Sequence, residues 1–64
     1  MYVIVNTKDS SYFYMLNNSV VYTKPSILKT TIFDSLDLAN KQCEICNELS
    51  ENTFVVKQVV LQDV

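Results

Sequence analysis

"FDSLDLANKQCEICNELSEN", residues 33 to 52, is where this 64-residue chain changes period. Placed at about 100° per residue, Leu36, Leu38, Ala39, Cys43, Ile45, Cys46 and Leu49 fall on one half of a helical wheel. Asp37, Asn40, Lys41, Glu44, Asn47 and Glu48 fill the other half. The pattern predicts an amphipathic helix. Asp34 or Ser35 can cap its first turn by accepting from an unpaired amide, Phe33 can serve as an apolar staple outside it, and "SEN" at 50 to 52 ends it.

The chain before this helix reads differently. "MYVIVN" (1–6), "SYFYML" (11–16) and "VVYT" (20–23) are rich in Val, Ile, Tyr and Phe, and the breaks between them, "TKDS" and "NNS", are rich in Asn, Asp and Ser. Such runs and breaks predict three hairpin-linked strands. The chain has no glycine, so the second turn is expected to use Asn17 and Asn18, asparagine being tolerant of left-handed backbone angles. Pro25 has no amide hydrogen and disfavours helix at Lys24, which ends the third strand there. "SILKTTIF" (26–33) is then a partly extended connection.

After the helix, "TFVVKQVVLQDV" (53–64) is strongly β-forming, but Phe54 and Val56 have one parity and Val59 and Leu61 the other. A bulge near Lys57 and Gln58 would bring all four to one face. Otherwise the strand is covered on both sides, by the helix and by a second subunit. The order β-β-β-α-β gives a single α+β domain over residues 1–64. Its expected architecture is a small antiparallel sheet of three to four strands with one amphipathic helix packed across it.

Composition narrows the function. Hydrophobic residues make up 48% of the chain and charged residues 19%, the balance of a folded domain. The net charge is −2, with lysine the sole basic residue type and no histidine, so there is no arginine fork for phosphates and no base tuned to neutral pH. Nucleic acid is not an expected partner, because no basic cluster is visible. No leader-like or membrane-length apolar run occurs, which predicts a cytoplasmic protein with no membrane partner.

Cys43 and Cys46 form a lone C-x-x-C, half of the ligand set that a structural zinc takes, with carboxylates or a second chain left to supply the rest. Redox pairs of this spacing sit at helix N-termini, where the dipole lowers the thiol pKa. These lie two turns inside, on the apolar face, and read as small hydrophobes packed on the sheet. A metal shared between subunits and redox chemistry are the alternatives. Asp34 with Asp37, and Glu44 with Glu48, are carboxylate pairs on the solvated helix face, where acids are ordinary. No catalytic residue and no cofactor are expected, and the chain reads as a non-enzyme.

The tyrosines are more suggestive. In a regular second strand Tyr12, Tyr14 and Leu16 share one face and Phe13 and Met15 the other, and a single helix covers only one of them. A small sheet exposes some tyrosine in any case. Tyr is also enriched at interface hot spots, which makes Tyr12, Tyr14 and Tyr22 candidate partner-binding residues. Glu44 and Glu48 are further candidates should the partner be basic, although five acids around Lys41 are few for a mimic of a phosphate ladder. A homodimer is expected too: a chain of this length buries little surface alone, and its last strand is apolar in both parities. Val55, Val59 and Leu61 are the expected dimer contacts.

"MYVIVN", "SYFYML", Phe33 with Ala39, and "FVVKQVVL" give the chain a layout that resembles the small orphan accessory proteins of phages and mobile elements of low-GC bacteria. That resemblance implies a role rather than a chemistry: occlusion of a bacterial host protein or of a component of an anti-phage defence system. The alternative is a structural or regulatory homodimer with no foreign target.

Overall fold

The computed structural model describes residues 1–60. Its elements are β1 (Tyr2–Asn6), β2 (Ser11–Asn17), β3 (Val20–Lys24), a 3-10 turn at Ile27–Lys29, α1 (Leu36–Leu49) and β4 (Phe54–Gln58). The strands form one antiparallel sheet in the order β3-β2-β1-β4, with α1 packed over β4 and β1. This is the expected α+β fold. β1 and β2 are the inner strands, and β1 lies between β2 and β4. Val3, Ile4 and Val5 are all buried although alternate residues face opposite sides, so both faces of β1 are covered here, which is why its sequence shows no polar alternation.

The turns are built without glycine. In the first, the Asn6 carbonyl accepts from Ser10 and its side chain from the Lys8 amide, while Ser10 takes φ 63°. The Asp9 carboxylate then accepts from both the hydroxyl (2.6 Å) and the amide (2.9 Å) of buried Ser11. Those two bonds hold the Asp9 carboxyl below the usual carboxylate range. Their contribution to stability is present above the ordinary carboxyl value and is lost as the pH falls through the lowered one. The second turn centres on Asn18 (φ 52°) and Ser19 (φ 62°), one residue later than expected. Positive φ at both central residues is the type I′ geometry that matches the twist of a two-residue hairpin, and Asn17 is left to pair with Val20.

β2 departs from the expected regular strand. Phe13 pairs with Thr23 but Met15 with Tyr22, so two steps along β2 match one along β3 and Tyr14 is the extra residue of a bulge. The bulge reverses the parity. Phe13 and Leu16 both join the core, whereas in a regular strand they would oppose one another. The expected grouping of Leu16 with Tyr12 and Tyr14, and of Met15 with Phe13, is therefore corrected. The bulge also lies in β2 rather than at Lys57 and Gln58, because β4 pairs with β1 without a break from Phe54 to Gln58.

At the bulge β2 leaves β1, and the fork is filled by the segment that precedes the helix. The Phe13 carbonyl accepts from the Thr31 amide (3.2 Å) and the Thr30 hydroxyl, and the Tyr14 carbonyl accepts from the Thr31 hydroxyl (2.6 Å). On the other side Phe33 exchanges two backbone bonds of 2.8 Å with Tyr2. Phe33 is thus bridged to β1, stacks on Phe13 with ring centroids 6.2 Å apart, and packs against the core that Cys43 and Cys46 of the helix share.

Ser35, and not Asp34, caps α1 by accepting from the Leu38 amide. The helix ends at Leu49, as "SEN" predicts, and Asn52 turns the chain with φ 60°. Its buried stripe is narrower than its apolar half-wheel. Ala39, Cys43 and Cys46 are buried, but Leu36, Leu38, Ile45 and Leu49 stay exposed, because the helix rests mainly on two strands and contacts them along one line. The core unites Ile4, Phe13, Cys43, Cys46 and Phe54, with Leu16, Val21, Phe33 and Val56 at its margin.

Candidate functional site

Both thiols belong to that core. The Cys43 Sγ donates to the Phe54 carbonyl at 3.4 Å, and Gln42 Nε2 approaches Cys46 Sγ at 3.9 Å. Burial pushes both thiols above their ordinary value, against the thiolate form that zinc binding and disulfide exchange require. Hydrogen bonds from Asn47 and Gln42 oppose this only in part. Both cysteines are free, and among the described residues no three His, Cys, Asp or Glu side chains converge. A thiol reagent at neutral pH is expected to label neither cysteine until denaturant is added. The stability these neutral thiols contribute is present below the ordinary thiol pKa and is lost as the pH rises past it. Rapid labelling of the folded chain would contradict the packing assignment.

Beside Cys43, Asn47 reaches off the helix to the edge of the sheet. Its Oδ1 accepts from the Phe54 amide at 2.8 Å and its Nδ2 donates to the Phe54 carbonyl at 3.1 Å. The side-chain amide thereby stands in for one peptide unit of a neighbouring strand. On the helical wheel Asn47 falls among the solvated residues, so this role is not legible from the apolar period. Its one trace in sequence is position: Asn47 lies a single turn beyond Cys43, on the border between the apolar and polar halves of the wheel.

The tyrosines come together as the residue types suggested, with different companions. Since Phe13 and Leu16 point into the core, the intervening Tyr14 and Met15 both point to the opposite face, where Tyr22 stands across from Met15. Tyr14 and Tyr22 are 40% and 45% exposed, too open for core residues, and Val20 beside the turn is 49% exposed. Half-buried Tyr12 pairs with Lys24, whose Nζ lies 4.9 Å from the centre of the Tyr14 ring. Such a cation–π contact contributes about 0.5–1 kcal/mol at an exposed site and steadies the ring. The result is one apolar, aromatic surface on the β2–β3 hairpin. Met15 and Val20 were missed as members. The available signal was the three-residue spacing of Phe13 and Leu16, which breaks strict alternation.

Glu44 and Glu48 are exposed on the helix, on the opposite side of the sheet from this surface, so the two sets of candidates do not form one site. The exposed ion pair of Lys8 with Glu51 (2.7 Å) contributes little. Changing Glu44 and Glu48 together to lysine is expected to leave the thermal transition nearly unmoved, as exposed charges are worth about 0–1 kcal/mol. Val55 lies exposed on β4, Val59 is half-buried and donates its amide to the Met1 carbonyl, and Leu61 lies outside the described residues.

No pocket opens among the described residues, and no helix among them is long and apolar enough to cross a membrane. No protein-family model matches the chain, and no curated protein and no solved structure shows significant similarity to it.

Proposed function

We propose that this is a small, non-enzymatic protein-binding module that occludes a surface of another protein with the outer face of its β2–β3 hairpin. The observation that carries the reading is the bulge at Tyr14, which turns Tyr14 and Met15 outward together, next to Tyr22, on the face the helix does not cover. Two rigid tyrosines and a pliable methionine, framed by Lys24 and Val20, have the composition of a hot-spot cluster. The strand pairing that fixes them keeps the ordering cost of binding low. With the resemblance of the layout to phage accessory proteins, the reading becomes an inhibitor acting in the host cytoplasm on a bacterial host or anti-phage defence protein. That last step is analogy of layout, whereas the hairpin surface is chemistry.

The test is affinity capture from a bacterial lysate with the parent and with Tyr14→Ala/Tyr22→Ala as bait. Both side chains are exposed, so the double variant should melt close to the parent while losing the captured protein, with affinity reduced about 100-fold or more for two hot-spot tyrosines. Equal capture by parent and variant would exclude the hairpin face as the contact.

A further inference from the structure

The outer edge of β4 is open over a defined length. In an antiparallel pair, alternate residues turn both backbone groups toward their neighbour. The Thr53 carbonyl accepts from Thr7 and the Val59 amide donates to Met1, so odd-numbered residues of β4 face β1 and even-numbered ones face outward. Phe54, the first outward residue, is already closed by Asn47. Val56 and Gln58 turn their N–H and C=O groups to the open side, where no described residue takes them up. Val60 continues the same parity and is 81% exposed.

We infer that this edge, from Val56 to Val60, pairs antiparallel with the same edge of a second copy, about a twofold axis at Gln58. Register selects this arrangement. Centring the pair on Val56 would set Gln58 against the partner's Phe54, whose backbone groups Asn47 holds. Centring it on Lys57 would set two lysines directly across from one another on the same face, a destabilising arrangement. Centring it on Gln58 avoids both. Val56 then meets the partner's Val60, Gln58 meets the partner's Gln58, and Lys57 lies across from the partner's Val59. Exposed Leu36 adds apolar cover, because helical spacing places it on the same side of α1 as Cys43 and Asn47, toward the β4 edge. The occupant is a second copy rather than a foreign strand because this one register satisfies both sides with the same five residues. The sheet would become continuous through the dimer, leaving the hairpin surfaces at its far ends. The inference does not rest on the hairpin binding a target.

Light scattering at micromolar to millimolar concentration is the first measurement, and a mass of twice 7.4 kDa is expected at the upper end. Gln58→Pro removes one outward N–H. Proline is tolerated on an edge strand at such a position, so this variant should fold and remain monomeric. Gln58→Cys should form a disulfide-linked dimer on oxidation, since opposed residues of a bonded pair lie about 5.5 Å apart, within reach of a disulfide. A parent that stays at 7.4 kDa throughout overturns the inference. So does a Gln58→Pro variant that folds and still dimerises. A dimer that Gln58→Cys cannot link overturns the register. Tyr14→Ala/Tyr22→Ala should dimerise like the parent, so loss of a target and loss of the dimer are read separately.

Discussion

Phe13→Ala is expected to abolish the folded state at ordinary temperature. Phe13 is the hub of the structure: its ring is buried and stacks on Phe33, and its carbonyl ties the Thr30–Thr31 segment into the fork. Removing a buried phenylalanine costs about 3–5 kcal/mol. Folded domains hold roughly 0.05–0.15 kcal/mol per residue, on the order of 3–10 kcal/mol for a chain of this length. The loss is therefore comparable to the whole stability. Far-UV circular dichroism with urea titration is the measurement, and the expected trace has no native baseline at 25 °C, or only a short one. Tyr14→Ala, one residue along, removes an exposed ring and should shift the midpoint only slightly. If Phe13→Ala retained a cooperative transition within about 1 kcal/mol of the parent, the core would not be organised around Phe13.

Asn47→Ala should produce the second largest effect, although it removes a polar side chain from the helix border. The variant strips the Phe54 amide of its partner and leaves the Phe54 carbonyl only the weak Cys43 thiol donor, and the methyl group that remains replaces neither bond. Unmade bonds at partly buried groups cost about 1–3 kcal/mol. A loss near 2 kcal/mol lowers the melting temperature of a domain this small by on the order of 10 °C. Asn47→Asp separates the two bonds: it can still accept from the Phe54 amide, but it sets a carboxylate oxygen against the Phe54 carbonyl. It should fall between the parent and alanine at low pH and destabilise further as the carboxyl ionises. Equal melting of parent and Asn47→Ala would mean that water replaces the clamp at no cost. The alanine variant should also associate less specifically, because the open edge then extends to Phe54.

Three hairpin-type strands, the helix with its end at Leu49, and the final strand were legible because each is encoded by neighbours a few residues apart. The period of the apolar residues sets the element, and Asn, Ser, Asp and Pro mark the breaks. The interior placement of Cys43 and Cys46 follows from the same wheel. The sequence reading went astray where one local pattern allowed two outcomes. A mismatch of parity in "TFVVKQVVL" suggested a bulge there, yet the bulge formed in "SYFYML", where Phe13 and Leu16 could both reach the core only if Tyr14 was pushed out of step. The apolar half-wheel of α1 suggested wide burial, yet the sheet beneath it accepts only Ala39, Cys43 and Cys46.

By itself, then, the sequence determined the element types, their order, the glycine-free turns near Asp9 and Asn18, and a surplus of tyrosine in the hairpin. The tertiary structure decided which tyrosines share a face, where β1 and β2 part to admit Thr30–Phe33, and that Asn47 seals one end of the β4 edge while leaving Val56 and Gln58 open. The physical reason is range. Helix and turn preferences are settled by hydrogen bonds and sterics within a few residues, whereas a bulge, a fork or an edge clamp depends on which distant backbone groups lack partners once the core has closed.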